Sequence, residues 1–378
     1  MQRRKFMMVL AAGGATIALS ACDTMPTSAV APWLGPDGSE TDPRLRALSW
    51  AMLAPNPHNL QSWQADIREP DLIKLYVDQA RLLPETDPPH RQILIGCGAF
   101  LELLRIAASH DGWDAVIKLM PQGDYGVAGV DARAFAEVRF VRNAQLVADP
   151  LFLAVRNRRT NRLPYEAKVP DEGVLAALTA AAARPGISLM SSNSAAQVAR
   201  IREIAIAGYR AEFTNPATWG ESADVVRLGS DAVAAEPSGI AVLGTKVWFA
   251  RKLGFLSQES MRKTDGLGVQ SAIDSSVEAA NNTHAWIWLV SADNSRQAQI
   301  ETGRAYMRID LTATTLGVAI HPNSQVLQEF PLMAALYQSF HREVGVAEPA
   351  RVQMLSRIGY APPPGPAARR PVQRILRA

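Results

Sequence analysis

From residue 43 onward, apolar positions along the chain change period several times, and each change predicts an element. Pro43 to Leu53 reads as a helix that stops at Ala54-Pro55-Asn56-Pro57, because a residue before proline is driven out of the helical region. Ile73, Leu75 and Val77 alternate with polar neighbours and predict a strand, as does the stretch Glu137 to Val141. Between them, Arg91 to about Ser109 predicts a long helix. The series restarts with helix at Leu151, a loop from Arg158 to Pro164, helix from Asp171 to Ala183, a strand near Ile187 to Met190 and helix from Ala196 to Phe213. The period is lost between Thr214 and Ser276, where Trp219, Trp248, Phe249 and Phe255 stand among Gly, Ser and charged residues, so 214–276 reads as an inserted cap or lid. A strand at Ala285 to Val290, helix from Gln297 to Leu316 and a strand near Met354 to Tyr360 follow.

The two long helical stretches repeat at an offset of 205 residues, which pairs Gln92 with Gln297, Ile95 with Ile300, Gly98 with Gly303, Ala108 with Ala313 and Gly112 with Gly317. Each follows a strand and ends on glycine, as an internal duplication requires. The expected fold is therefore α+β, with two fused pseudo-repeats, 43–150 and 151–378, each holding a mainly antiparallel sheet flanked by helices.

The first 21 residues read differently. Arg3, Arg4 and Lys5 precede an apolar run from Phe6 to Leu19 that is shorter than the ~20 residues a spanning helix needs. Leu19-Ser20-Ala21-Cys22 resembles a lipobox, which implies lipidation of Cys22, and Arg3-Arg4-Lys5-Phe6-Met7 resembles a twin-arginine export signal. An ordinary cleaved signal with a chance cysteine is the alternative. Asp23 resembles the residue that retains some lipoproteins, so the expectation is a chain lipid-anchored at the periplasmic face of the bacterial inner membrane. Residues 22–42, rich in Pro, Ser, Ala and Gly, read as a flexible tether.

Composition narrows the chemistry. Without the three N-terminal cations, 36 basic residues face 36 acidic ones, so no general attraction to nucleic acid follows. The six histidines show no metal-ligand spacing, no Gly-x-Gly-x-x-Gly follows a strand, and Cys97 sits in an apolar helix as an inert thiol would. Three segments stand out. Ala54 to Trp63 gathers Pro55, Asn56, Pro57 and Asn59 in a loop that offers fixed hydrogen bonds, or is only a helix-ending turn. Arg158-Arg159-Thr160-Asn161-Arg162 sets three guanidiniums and a hydroxyl where they suit a phosphate, or is a solvated basic loop. Arg369 and Arg370 add cations near residue 370, or belong to a disordered tail.

The loop at Ala54 resembles the Ala-Pro-Ser-x-x-Asn-x-Gln-Pro-Trp segment of the FMN-dependent nitroreductase family, and Arg158 to Arg162 resembles that family's Arg-x-Ser-x-Arg/Lys phosphate segment. Ala285 to Tyr360 is similar to its C-terminal half. In ordinary members the Arg segment comes first and two subunits share two flavins across their interface. The inverted order here resembles the fused, Acg-like branch, which implies a pseudo-dimer within one chain, a monomer, and one surviving FMN site. The resemblance implies that Arg158 and Arg370, with Arg369 close by, bind the FMN phosphate. Arg159 lies in the same segment, Thr160 would donate a hydroxyl, and Arg162 would sit at the N1–C2=O edge. Pro55, Asn56, Pro57 and Asn59 would wall the ring, and Pro322, Asn323 and Ser324, after His321, would face flavin N5. Asn56 stands where the family has Ser, and Ser62 where it has Pro.

The expected activity is two-electron transfer through the flavin to a nitroaromatic, quinone or similar acceptor, the chemistry residing in the cofactor. NAD(P)H is the family's donor, but a chain outside the inner membrane does not meet it, so another donor stays open. Two alternatives remain: a protein that stores FMN beneath an occluding lid, and a flavin-free scaffold in which the arginines serve only structure.

Overall fold

A computed structural model describes residues 23–126 and 129–377. The signal segment and Cys22 lie outside the described residues. The first half runs α1 (Pro43–Ala51), β1 (Trp63–Asp66), β2 (Leu72–Val77), α2 (Arg91–His110), β3 (Trp113–Leu119) and β4 (Ala134–Arg142). The second opens with α3 (Glu172–Ala181) and β5 (Ile187–Ser192). It continues through α4 (Ala195–Thr214), α5 (Pro216–Asp224), β6 (Val226–Leu228), β7 (Ile240–Val242), α6 (Thr245–Lys252) and α7 (Leu267–Asn281). It closes with β8 (Ala285–Ser291), α8 (Arg296–Thr315), β9 (Ala319–Pro322), α9 (Ala334–Glu343) and β10 (Arg351–Gly359).

The molecule is α+β and built of two fused repeats. The first sheet is ordered β1-β2-β4-β3 and the second β5-β8-β10-β9, all neighbours antiparallel. Numbered within each half, both orders are first-second-fourth-third, with the 20-residue helix α2 or α8 between the second and third strands. Registers follow the apolar alternation: Ile73 faces Val138, and Ile358 faces Ile320.

The helices α2 and α8 form the centre. Helix α2 is apolar around most of its circumference because nearly all of it is buried. It crosses α8 where a Cβ on Gly98 would lie 2.0 Å from the Ile300 carbonyl oxygen, and a Cβ on Gly303 1.8 Å from the Ile95 carbonyl oxygen. Each contact is the other moved by 205 residues, the reciprocity of a two-fold interface held within one chain. Only glycine permits that approach.

Three readings need correction. The segment 214–276 is not irregular: it is mostly helical, with a core of Trp219, Ala223, Val226, Leu228, Met261, Val269 and Ile273. Measured against the first half, the insertion is the whole stretch between β5 and β8, where β1 and β2 are joined by five residues. Residues 23–42 are not a free tether either. Ala29 and Trp33 are buried, and Trp33 Nε1 donates to the Ala367 carbonyl at 2.8 Å. Finally, the two halves are not sequential blocks, because residues 372–377 return to the first: Val372 and Ile375 enter its core, and Leu376 bridges Ala65 beside β1.

Candidate functional site

A cavity of about 670 Å³ lies between the halves, within the ~300–1,000 Å³ range of small-molecule sites. Its floor includes Ile95, Gly96 and Ala99 of α2 and Tyr306 of α8, and its roof comes from the insertion.

One wall is the loop after α1. Helix α1 starts on Pro43 with Asp42 accepting from the Arg44 amide, and the prolines at 55 and 57 prevent its continuation. His58, Asn59 and Gln61 then take left-handed backbone angles, φ 49°, 55° and 55°, a costly run that the surroundings must hold in place. They do so through Asn56 Oδ1, which accepts from the Gln61 amide at 2.7 Å, and through Asn59, whose Nδ2 donates to the Ala368 carbonyl at 3.0 Å. Gly96 lets the loop rest on α2, since a Cβ there would sit 3.0 Å from Pro57 Cδ.

The opposite wall is cationic. The Arg158–Arg162 loop is pinned to β9 by the Asn161 amide, which donates to the Ile320 carbonyl at 3.0 Å. Arg158 is buried, and its Nη1 lies 3.0 Å from Asp310 Oδ2. Arg159 lies over the Trp33 ring at 4.2 Å, and Arg369 lies 5.4 Å from the same ring. Arg369 donates to Asn59 Oδ1 at 2.6 Å and to the Leu53 and Ala54 carbonyls, but to no carboxylate among the described residues. Arg162 makes no hydrogen bond or ion pair among the described residues, and its side chain stays accessible to the cavity although protein envelops it. Burial pushes the pKa of Arg162 down, and that of Arg369 further, with Arg158, Arg159 and Arg162 adding repulsion at Arg369. Four guanidiniums thus line this cavity, and only Arg158 has a carboxylate partner among the described residues.

The two histidines beside them respond accordingly. His58 is held down to about 4 by burial and by Arg162, and His321 is pushed well below its ordinary value by burial, Arg162 and Arg357. Both are neutral near pH 7.

Of the residues singled out in the sequence, Pro55, Asn56, Pro57, Asn59, Arg158, Arg159, Thr160, Arg162, Pro322, Ser324 and Arg369 line this one cavity. Asn59 and Arg162, from opposite halves, share it. Two do not line it. Asn323 is buried beneath, its amide N–H donating to the Leu355 carbonyl and its side chain beside the Tyr209 phenol. Arg370 turns the other way: its guanidinium donates to the Gln61 carbonyl, and its charged neighbours are Arg81, Asp78 and Glu236. Arg370 therefore buttresses the loop and does not join the arginines that line the cavity. Sequence reading missed Trp33, His58, Tyr209, Glu212 and Tyr306, all of which line the cavity. The carboxyl of Glu212 carried no signal because a lone acid in a helix reads as solvated surface.

The counterpart position is closed. Moved by 205 residues, Gly96 and Ala99 become Glu301 and Arg304, whose side chains pair at 3.0 Å and join Glu102 and Arg184 in a network. Where one half leaves space, the other is filled with ion-paired side chains.

A curated Mycobacterium tuberculosis protein named "Putative NAD(P)H nitroreductase acg" is 28% identical over 349 residues, covering 89% of this chain and 96% of that protein. A second protein of that organism, also named "Putative NAD(P)H nitroreductase", is 26% identical over 340 residues, covering 87% of this chain and 89% of its own. Among solved structures, one from Anabaena variabilis named a "putative nitroreductase" aligns over 95% of this chain and 99% of its own, at 11% identity and a TM-score of 0.49. No protein-family model matches the chain. The first relative aligns across both repeats and the insertion, so the resemblance in sequence is not confined to one half.

Proposed function

We propose that the cavity binds one FMN and that the chain is a flavin-dependent oxidoreductase of the nitroreductase type. The observation that carries this reading is the gathering of Arg158, Arg159, Arg162 and Arg369 around one cavity, where only Arg158 has a carboxylate partner among the described residues, an excess of positive charge that calls for an anion. The fit is supported by two buried donors, Arg158 Nε and Arg369 Nε, which have no partner among the described residues. Arg158, Arg159 and Arg369 would hold the phosphate, Pro55 and Pro57 would wall the ring, and Arg162 would hold negative charge on the N1–C2=O edge. Bound FMN supplies two-electron chemistry. The protein's part is to fix the ring, exclude water and stabilise that charge. The plugged counterpart supports one site per chain, and the names of the two mycobacterial relatives support NAD(P)H as a donor.

The decisive experiment measures bound flavin in the purified full chain and in Arg162→Ala. Retention of flavin by the wild type and its loss from the variant are expected; a wild type that neither carries nor takes up FMN overturns the reading. Flavin storage is the second reading, favoured by the roof that the insertion places over the cavity. Anaerobic NADPH separates the two, since a reductase bleaches and a store stays yellow. We also propose that lipid on Cys22 anchors the chain, which the mass of the mature N-terminal peptide tests.

A further inference from the structure

Away from the arginines, the cavity continues beneath α4, α5 and α7 against Phe213, Trp219, Val226, Leu256 and Met261. One carboxyl stands in that apolar wall. Glu212, near the end of α4, is 1% exposed and lines the cavity, and its Oε2 has no partner among the described residues. The Ser222 hydroxyl and the Gln328 amide border it, and Ser222 Oγ lies 3.0 Å from His58 Nε2. Gln328 Oε1 is itself a buried acceptor without a donor among the described residues, which an O–H on Glu212 would supply. The one neighbouring acid, Glu221 on α5, is engaged by the Glu85 and Thr86 amides and adds repulsion to any charge on Glu212. An unpaired carboxylate in such a wall is unfavourable, and carrying a proton removes the penalty. Burial raises this acid to about 8.

We propose that this compartment receives an uncharged aromatic acceptor of the quinone or nitro type, and that Glu212 donates the proton its oxygen takes up on reduction, with Ser222 and His58 positioning the carboxyl. The proposal rests on the flavin reading. For a quinone, two electrons and one hydrogen arrive as hydride from reduced flavin at one oxygen. The O–H bond of Glu212 breaks and its proton goes to the other oxygen, giving hydroquinone, oxidised flavin and a carboxylate that water reprotonates.

The test uses the FMN-loaded full chain, photoreduced without oxygen and mixed with benzoquinone or with ferricyanide, which takes electrons without protons. Glu212→Gln is expected to slow the benzoquinone reaction about a hundredfold, within the range of general acids. It is expected to leave the ferricyanide rate and FMN affinity unchanged. Equal slowing with both acceptors, or none with benzoquinone, overturns the proposal. Failure of the wild type to hold FMN, seen before any acceptor is added, is failure of the underlying reading. A second measurement needs no flavin: the infrared difference between wild type and Glu212→Gln at neutral pH must contain a protonated-carboxyl C=O band, and a carboxylate band in its place overturns the proposal.

Discussion

Replacing Glu212 with Gln also makes a stability prediction whose size follows from burial. In the folded chain this acid titrates at about 8, against an ordinary 4.5, chiefly because burial penalises its charged form, with Glu221 adding to the penalty. Between those two values the folded state holds a proton that the unfolded state has lost. Stability therefore falls as pH rises through the window, and the loss is complete above about 8. At about 1.36 kcal/mol for each unit of displacement, the full penalty is about 5 kcal/mol, and relaxation around the charge reduces it to about 2–5 kcal/mol. Gln keeps the shape and cannot ionise. Denaturant unfolding followed by tryptophan fluorescence, with Trp219 in the same wall, should show the variant matching wild type near pH 4.5 and gaining about 2–5 kcal/mol on it near pH 9. Asp87, raised to about 7 by burial, falls in both proteins alike and cancels in the difference. Parallel profiles for the two proteins across that range would refute the account of the site.

Three further predictions are independent of it. Arg158→Ala leaves Asp310 buried without its cation and should cost about 3–5 kcal/mol, whereas Arg158→Ala with Asp310→Asn should recover most of that stability without recovering FMN binding, as thermal melts and flavin titration would show. Gly303→Ala places a Cβ 1.8 Å from a backbone oxygen that cannot swing aside, so it should destabilise the chain by about 3 kcal/mol in denaturant melts. Trp33→Ala removes a buried ring from beneath Arg159 and Arg369; a loss of about 3–5 kcal/mol and weaker FMN binding are expected in the same two assays.

The sequence revealed most where many residues repeat one message. Helices α2 and α8 each run for 20 residues, and their shared offset exposed the duplication before any contact was known. The four-residue strands β1 and β9, and the edge strand β3, were too short or too mixed in burial to carry a period. Between Thr214 and Met261 the insertion hid its helices because they are brief and start after Asn, Gly or Ser, so no long apolar stripe forms. Trp33 lay in a Pro- and Gly-rich stretch that reads as tether, and only its contacts with Arg159 and Ala367 show it to be part of the wall. Arg369 and Arg370 are adjacent and chemically identical; which one faces the cavity depends on where the backbone turns, and no local pattern encodes that.

The passage of the chain along the cavity at Gly365, Ala367 and Arg369, before residues 372–377 rejoin the first half, has a consequence for assembly. Gly365, Ala367 and Arg369 follow every other lining residue in chain order. During synthesis from the amino end, Arg158, Arg159 and Arg162 are therefore made long before the guanidinium that completes their cluster, and a nascent chain has no finished grip for an anion until that stretch leaves the ribosome.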